Sequence, residues 1–374
     1  MSLTDWVTER VLSGIRPDII ELGTHSFRKL KAKVAKGRLK IFEVVTTAAP
    51  ESLIFTPHQG FSVFDADEFK RALLKLYGGR IPSSCYAVII IPDGAFHAGI
   101  ATIQGLTSGT NPLSLLHREI QDTAPLPVTE YVITHEVTQA RGAQREVLYC
   151  ALPRQVIPEI EALLGEVGII PVSIQPSFIS LSGLLSVSGD DQTSDPSVWI
   201  HFGHESTTVA ITRSKFLRRV QILPIGAVDL TNAIMKGFSV EKSISEKYKR
   251  DEIILIDDPL AEAQREIQSY CLLEPLFATI LQKIHGVIQV HSLQSPKEAA
   301  FRRIVVSGGG SCLKNFDKLI SSNLGIPVFK AGQCMDFFDD VKLGDIDQRC
   351  CVAPLIGACF RESWKTEHFE KVVA

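Results

Sequence analysis

The sequence predicts an α/β protein built on a duplicated domain, and three observations carry that expectation. Two strand–turn–strand segments, "IIELGTHSFRKLKAKVAKGRLK" from Ile19 and "WIHFGHESTTVAITRSKFLRR" from Trp199, share a pattern. Each has an apolar strand, an x-Gly step, a Ser/Thr/His-containing turn and a second strand, so Gly23 lies over Gly203 and Glu21 over His201. Late in the chain, "IVVSGGGSCLKNF" (304–316) runs an apolar strand into three consecutive glycines and then into helical spacing. Between the two repeats, "SVSGDDQTSDPS" (186–197) is polar and turn-rich, which is the composition of an exposed domain boundary.

The remaining elements follow in order. Residues 18–47 alternate as strands, with Lys36-Gly37 as a hairpin signal. Asp65 and Glu68 form a capping-box pattern that opens a helix ending at Gly78-Gly79. "YAVIIIP" is then a continuous apolar strand of the kind buried on both faces. Residues 99–172 give strand, helix, hairpin, helix and strand, a β-α-β-β-α-β unit of its own. After the boundary come the second strand–turn–strand unit (198–225), a polar segment (236–262) and a long amphipathic helix. In that helix Leu276, Phe277, Ile280, Leu281, Ile284, Val287 and Ile288 recur at three- and four-residue spacing. The glycine turn and a last helix near 352–364 close the chain.

Bulk properties narrow the class. A chain of 374 residues can bury two sizeable cores. With 45% hydrophobic and 22% charged residues and a net charge of −3, it has no basic footprint for nucleic acid. No uninterrupted apolar run approaches the roughly 20 residues that span a bilayer. "MSLTDWVTERVLSGIRPD" lacks the basic start and apolar core of a secretory signal. Trp6, Val7, Val11, Leu12 and Ile15 fall on one face of a short helix, suited to docking on a protein surface, with weak membrane contact as the alternative. Eight cysteines include no C-x-x-C pair and sit mostly in apolar surroundings, as expected of buried thiols in a reducing cytoplasm. Cys350-Cys351, entering an apolar helix, reads as buried rather than redox-active.

The glycine-bearing turns carry the chemistry. Glycine lets successive backbone N–H groups converge on an anion, and Ser/Thr hydroxyls add donors. Two such hairpins facing each other would clasp a polyphosphate; singly, each reads as an ordinary hairpin. His201 and His204 have H-x-x-H spacing but no third ligand nearby in sequence, so no metal site is expected. The acidic "MDFFDD" (335–340) reads as a solvated loop. No G-x-x-x-x-G-K-[ST], G-x-S-x-G or H-E-x-x-H is present.

Two phosphate hairpins followed by a late strand–Gly-Gly-Gly–helix turn resemble the actin-like ATPase superfamily. The chain is most similar, over nearly its whole length, to the PilM-type type IV pilus assembly proteins, relatives of FtsA. The matching stretches are "VVSGGGSCLKNFDKLISSNLGIPV", "RRVQILPIGAVDLTNAI", "SEKYK" (245–249), "CVAPLIGAC" (351–359) and "VLYCALPRQVIPEIEALLGEVGIIPVSIQPS". The resemblance implies two duplicated RNase H-like domains. The first would cover 1–98 and 173–190, the inserted subdomain 99–172, and the second domain 191–374, with 236–300 as its helical and polar part.

The resemblance also implies an ATP or ADP site, with Mg²⁺ beside it. The first hairpin would contribute Gly23, Thr24, His25, Ser26 and Arg28, and the second Gly203, His204, Ser206 and Thr207. Glu246 and Lys249 would approach the adenosine side, and Gly308, Gly309, Gly310 and Ser311 would lie against it. Gln175 would orient water, and Glu21 would hold the metal. The departures are specific. Glu21 and His201 stand where the superfamily carries aspartates, and Arg28 where it carries a lysine. An imidazole suits Mg²⁺ poorly, and hydrolysis is mostly positioning and charge stabilisation, so slow hydrolysis or none is expected.

The implied role is a cytoplasmic scaffold at the inner face of the inner membrane. It would bind the short N-terminal cytoplasmic peptide of a PilN-type bitopic protein, with a homo-oligomer or ring as a further arrangement, and would touch the membrane through partners. The alternatives are an active ATPase, a small-molecule kinase needing a substrate-base aspartate in the cleft, and an FtsA-like adaptor, which usually ends in an amphipathic membrane helix where this chain ends "ESWKTEHFEKVVA".

Overall fold

The computed structural model describes residues 17–35, 38–56, 60–63, 65–83, 85–104, 112–123, 127–141, 144–185, 195–214, 216–251, 253, 255, 264–298, 300–335 and 343–372. The expected N-terminal docking helix, the Lys36-Gly37 turn and most of the 186–197 boundary and the 335–340 acidic stretch lie outside them.

The duplication is visible in the strand order of two five-stranded sheets. The first contains β1 (Asp18–Leu22), β2 (Ser26–Ala35), β3 (Arg38–Ala48), β6 (Cys85–Ile91) and β10 (Ile169–Pro176), in the order β10-β6-β1-β2-β3. A short hairpin, β4 (Leu53–Thr56) and β5 (Gly60–Val63), follows β3. The second contains β11 (Ser197–Phe202), β12 (Thr207–Arg213), β13 (Phe216–Leu223), β14 (Arg303–Ser307) and β15 (Val328–Lys330), in the order β13-β12-β11-β14-β15. In both, the first three strands are antiparallel neighbours and the next two add in parallel. The central parallel strands are largely apolar, as expected where helices cover both faces of a sheet. Ile20, Val88, Ile89 and Ile90, and likewise Val198, Ile200, Ile304 and Val306, are fully buried.

The nine α-helices of the described residues complete the layers. They are α1 (Ala66–Leu76), α2 (Pro112–Thr123), α3 (Val156–Gly165), α4 (Ser177–Leu185), α5 (Ala227–Phe238), α6 (Lys242–Asp251), α7 (Gln264–Gln294), α8 (Phe316–Leu324) and α9 (Ile346–Val372). Asp65 caps α1, accepting from the Glu68 backbone N–H at 2.9 Å, as the capping pattern predicts. One hydrophobic core joins the first sheet to α4, α9 and one face of the second sheet, including Trp199, Ala210 and Val305. A second fills the space between the second sheet, α5, α7 and α8. Within α7, Cys271–Gln294 is long and apolar enough to cross a membrane by composition. Its Leu273, Phe277, Ile280 and Ile284 are buried in this second core.

Helices α4 and α9 cross between the sheets at glycines. A Cβ on Gly183 would lie 2.0 Å from the Gly357 carbonyl oxygen, so the backbones touch. This contact brings the C-terminal helix back onto the first domain's core, although its sequence position is in the expected second domain.

The inserted unit has its own small core around Ala101, Leu116, Ile120 and Val147. Its sheet holds β7 (His97–Gln104), β8 (Tyr131–Arg141) and β9 (Gln144–Pro153), in the order β7-β9-β8. The β-α-β-β-α-β order of 99–172 is present along the chain, but its closing strand β10 pairs in parallel with β6 and completes the first domain's sheet. Strand order along a chain does not specify which edge a strand joins.

Candidate functional site

Four turns lie at the carboxyl ends of the parallel strands β1, β6, β11 and β14, and they converge on one cavity of about 470 Å³. That end of an open α/β sheet is where ligand crevices form. The two hairpin turns are built alike. A Cβ on Gly23 would meet the Ser26 carbonyl oxygen at 2.9 Å, and a Cβ on Gly203 would meet the Ser206 carbonyl oxygen at 2.9 Å. Both turns therefore exclude a side chain at the same point. Their tips touch: the His25 and His204 rings are 5.0 Å apart, and Thr24 hydrogen-bonds Glu205.

The glycine turn separates into two roles. Gly308 has φ +88°, and a Cβ there would meet the Phe202 carbonyl oxygen at 2.5 Å; one on Gly310 would strike the Phe202 ring at 2.6 Å. These two are required by the close approach of β11. A Cβ on Gly309 would meet nothing within 4 Å. Gly309 leaves bare backbone against the cavity, which is the arrangement a bound ring system needs.

The carboxylate end is altered in the way the sequence indicates. Glu21 and Arg28 pair across the β1–β2 ladder, with Arg28 Nη1 2.9 Å from Glu21 Oε2. His201 is buried, shares a hydrogen bond of 3.0 Å with Ser307, and is pushed down to about 4 by burial, so it is neutral at pH 7. A carboxylate spent on a guanidinium and a neutral imidazole do not make a hard-oxygen site, so these residues do not fit Mg²⁺.

No known protein-family profile matches the chain, and no curated protein sequence does. Among solved structures it superposes on a chain of the PilM-PilN type IV pilus biogenesis complex with a TM-score of 0.74 and 17% identity, covering 93% of this chain and 98% of that one. The fold is actin-like. MreB 5 of Spiroplasma citri, solved bound to AMPPNP, matches at a TM-score of 0.53 and 12% identity, with 96% and 99% covered.

Most of the sequence-predicted residues meet in the actin-like cleft. Glu21, Gly23, Thr24, His25, Ser26, Arg28, Gly203, His204, Ser206, Glu246, Lys249 and Gly308 to Gly310 line the cavity. Three do not. Thr207 is fully buried and donates to the Ile225 carbonyl at 2.7 Å. Ser311 is fully buried and donates to the Gly308 carbonyl at 2.7 Å, closing the turn rather than facing a ligand. Gln175 lines a separate cavity beside the inserted unit. It is paired with Ile90 in the β10–β6 ladder, on a strand whose residues 171–176 line that other cavity.

On α6, Glu246 and Lys249 are joined at 2.9 Å, and Lys249 also donates to the Ala227 carbonyl and to Thr231. Burial lowers the Lys249 pKa, while hydrogen bonds from Thr231 and the charge of Lys249 hold Glu246 low. Among the described residues, His25, His204 and Glu246 form a group with metal-ligating spacing across three chain segments. Of the H-x-x-H pair considered in sequence, only His204 belongs to it, because His201 is hydrogen-bonded to Ser307.

Two features were not anticipated. Asp93 is buried at the end of β6. It accepts from Ser177 N at 2.5 Å and Phe178 N at 3.4 Å through Oδ1, and from Thr208 Oγ1 at 2.6 Å through Oδ2. It thus joins the first domain to the second, and burial pushes it up to about 6. Asp93 sits in the turn after β6, the strand that holds in the first sheet the place β14 holds in the second, so extending the repeat to its fourth strand would have pointed to that turn. Cys351 is the other. Cys350 is fully buried as expected, but Cys351 faces the cavity with Cys312, their sulfurs 3.6 Å apart. The hydrogen bond shared with Cys312, and then the Arg28 charge, hold the Cys351 thiol below its ordinary range.

Proposed function

We propose that this chain is a PilM-type scaffold. It holds ATP or ADP in the interdomain cleft without rapid hydrolysis, and it binds the N-terminal cytoplasmic peptide of a PilN-type bitopic membrane protein at the cytoplasmic face of the inner membrane. The observation that carries this reading is the likeness to the PilM-PilN complex over nearly the full length of both chains. MreB 5, the more distant match, was solved with a nucleotide analogue.

The peptide site is a groove of about 470 Å³ between the inserted unit and the first domain. Leu148, Leu152, Ile157, Val172 and Ile174 give it an apolar floor, and Glu136, Glu161 and Arg361 a charged rim. Strand β10 forms both a wall of the groove and the end of the first sheet. An extended peptide can add there, taking affinity from main-chain hydrogen bonds and specificity from alternate side chains.

In the cleft, the two hairpin turns would hold phosphates through Thr24, Ser26, Ser206 and backbone N–H groups. Gly309 would lie against the base, and Glu246 and Lys249 near the sugar. With Glu21 neutralised and His201 uncharged, little remains to position a metal or an attacking water.

The test is fluorescence anisotropy with the labelled N-terminal peptide of the PilN-type protein from the same organism. Saturable binding is expected, weakened more than about tenfold by Ser173→Trp, which fills the groove, because interface energy concentrates in a few buried contacts. Absence of binding would reject the scaffold reading.

Asp93 favours a second reading. It is a cleft carboxyl raised to about 6, the aspartate that a small-molecule kinase or an active ATPase would use as a base. Against it, both oxygens already accept hydrogen bonds. ATP turnover abolished by Asp93→Asn would support this reading over the first.

A further inference from the structure

We propose that His25, His204 and Glu246 bind a borderline divalent transition-metal ion, Zn²⁺ or a neighbour of it, that clasps the two halves of the protein at the mouth of the cleft. One ligand atom from each residue lies within 4.8 Å of the other two. A tetrahedral zinc with Zn–N distances of about 2.0–2.1 Å sets its ligand atoms about 3.4 Å apart. Side-chain rotations of His25, His204 and Glu246 would have to close that difference, and the two imidazole rings already lie with their centroids 5.0 Å apart.

The donor set fixes the class of ion. Two imidazoles and one carboxylate are the ligands of an open three-residue zinc site, with a fourth position left for water or another oxygen. Imidazole favours zinc, nickel, cobalt or copper over magnesium and calcium. The fourth position here faces the cavity, which all three residues line.

The surroundings support the carboxylate ligand. Glu246 Oε1 accepts from Thr231 at 2.5 Å and from Lys249 at 2.9 Å, which fixes the group and leaves Oε2 for the ion. Outer contacts of this kind orient metal ligands and raise affinity. The Lys249 charge opposes a cation, but it is shared among Glu246, Thr231 and the Ala227 carbonyl.

The three ligands come from the β1–β2 turn, the β11–β12 turn and α6, so the ion would cross-link the two domains where no covalent bond does. The site does not depend on the peptide groove, but it shares Glu246 and the cavity with the proposed nucleotide site, so the titration is made on the nucleotide-free protein, where metal binding can fail or succeed whatever the peptide does.

The test uses the untagged full chain titrated with Co²⁺ and then Zn²⁺. The expected result is one equivalent of Co²⁺ with the visible ligand-field bands of a four-coordinate ion, displaced by Zn²⁺. His25→Gln and His204→Gln should each weaken binding more than about 100-fold, beyond the 10- to 100-fold cost of losing an outer contact. Glu246→Gln is the independent second variant, and metal-free thermal midpoints check that each variant folds. No stoichiometric Co²⁺ band would overturn the proposal. So would binding that survives the double histidine variant, or a thiolate-to-cobalt band lost in Cys351→Ser, which would put the ion on the cysteine pair instead.

Discussion

Arg28 and Glu21 face each other across the first hairpin, Nη1 to Oε2 at 2.9 Å, with 15% and 11% of their side chains exposed. The residue expected to hold a metal and the residue expected to hold a phosphate therefore hold each other. Removing one partner leaves the other charge buried and unpaired. Glu21→Gln should lower the unfolding free energy by about 3 kcal/mol in urea denaturation, and ATP should recover part of the loss, because the freed guanidinium can pair with phosphate.

His201 and Asp93 should give opposite pH dependences. His201 is depressed from 6.5 to about 4, so its contribution is present above pH 6.5 and is lost as pH falls toward 4. Asp93 is raised from 3.8 to about 6, so its contribution is present below pH 3.8 and is lost as pH rises through 6. Between pH 7 and 5 each amounts to about 1–2 kcal/mol at 1.36 kcal/mol per pKa unit, and in the native chain they largely cancel. Relative to the native chain, His201→Asn should gain stability as the pH is lowered over this range, and Asp93→Asn should lose it. Parallel urea titrations at both pH values read the difference.

The three glycines should not behave alike. Gly310→Ala drives a methyl into the Phe202 ring and should cost about 1–3 kcal/mol of stability, as overpacking does. Gly309→Ala meets open space, should leave the thermal midpoint of the ligand-free protein unchanged, and should weaken ATP binding.

Cys351, its thiol pKa lowered by Cys312 and Arg28 and its side chain facing the cavity, should be alkylated by iodoacetamide at neutral pH before the fully buried Cys350. Saturating ATP should slow that reaction, since Cys351 lines the cleft. Peptide mass mapping over a time course distinguishes the adjacent residues.

The duplicated architecture was legible because Gly23 and Gly203 sit at one steric point, the Ser26 and Ser206 carbonyl oxygens, where no Cβ fits. A repeated backbone constraint leaves the same letter in both halves. The glycine turn was legible for the same reason at Gly308 and Gly310. Asp93 was not, because an apolar strand followed by Pro-Asp-Gly reads as an ordinary turn until the repeat is extended to it. The edge that β10 joins and the side of α9 that meets the cleft depend on contacts between distant segments, such as Gly183 on Gly357. Neither leaves a local pattern. Gln175 shows the converse: a residue type suited to water positioning, on a strand end that faces a different cavity.

On the proposed function, the cleft keeps a nucleotide without the metal chemistry of hydrolysis. Calorimetric titration with ATP, in Mg²⁺ and in EDTA, followed by phosphate release from the same samples, tests it most directly. Saturable binding with the same affinity in both, and no phosphate release above the protein-free control, is the expected result. ATP binding that requires Mg²⁺, with steady turnover, would contradict it.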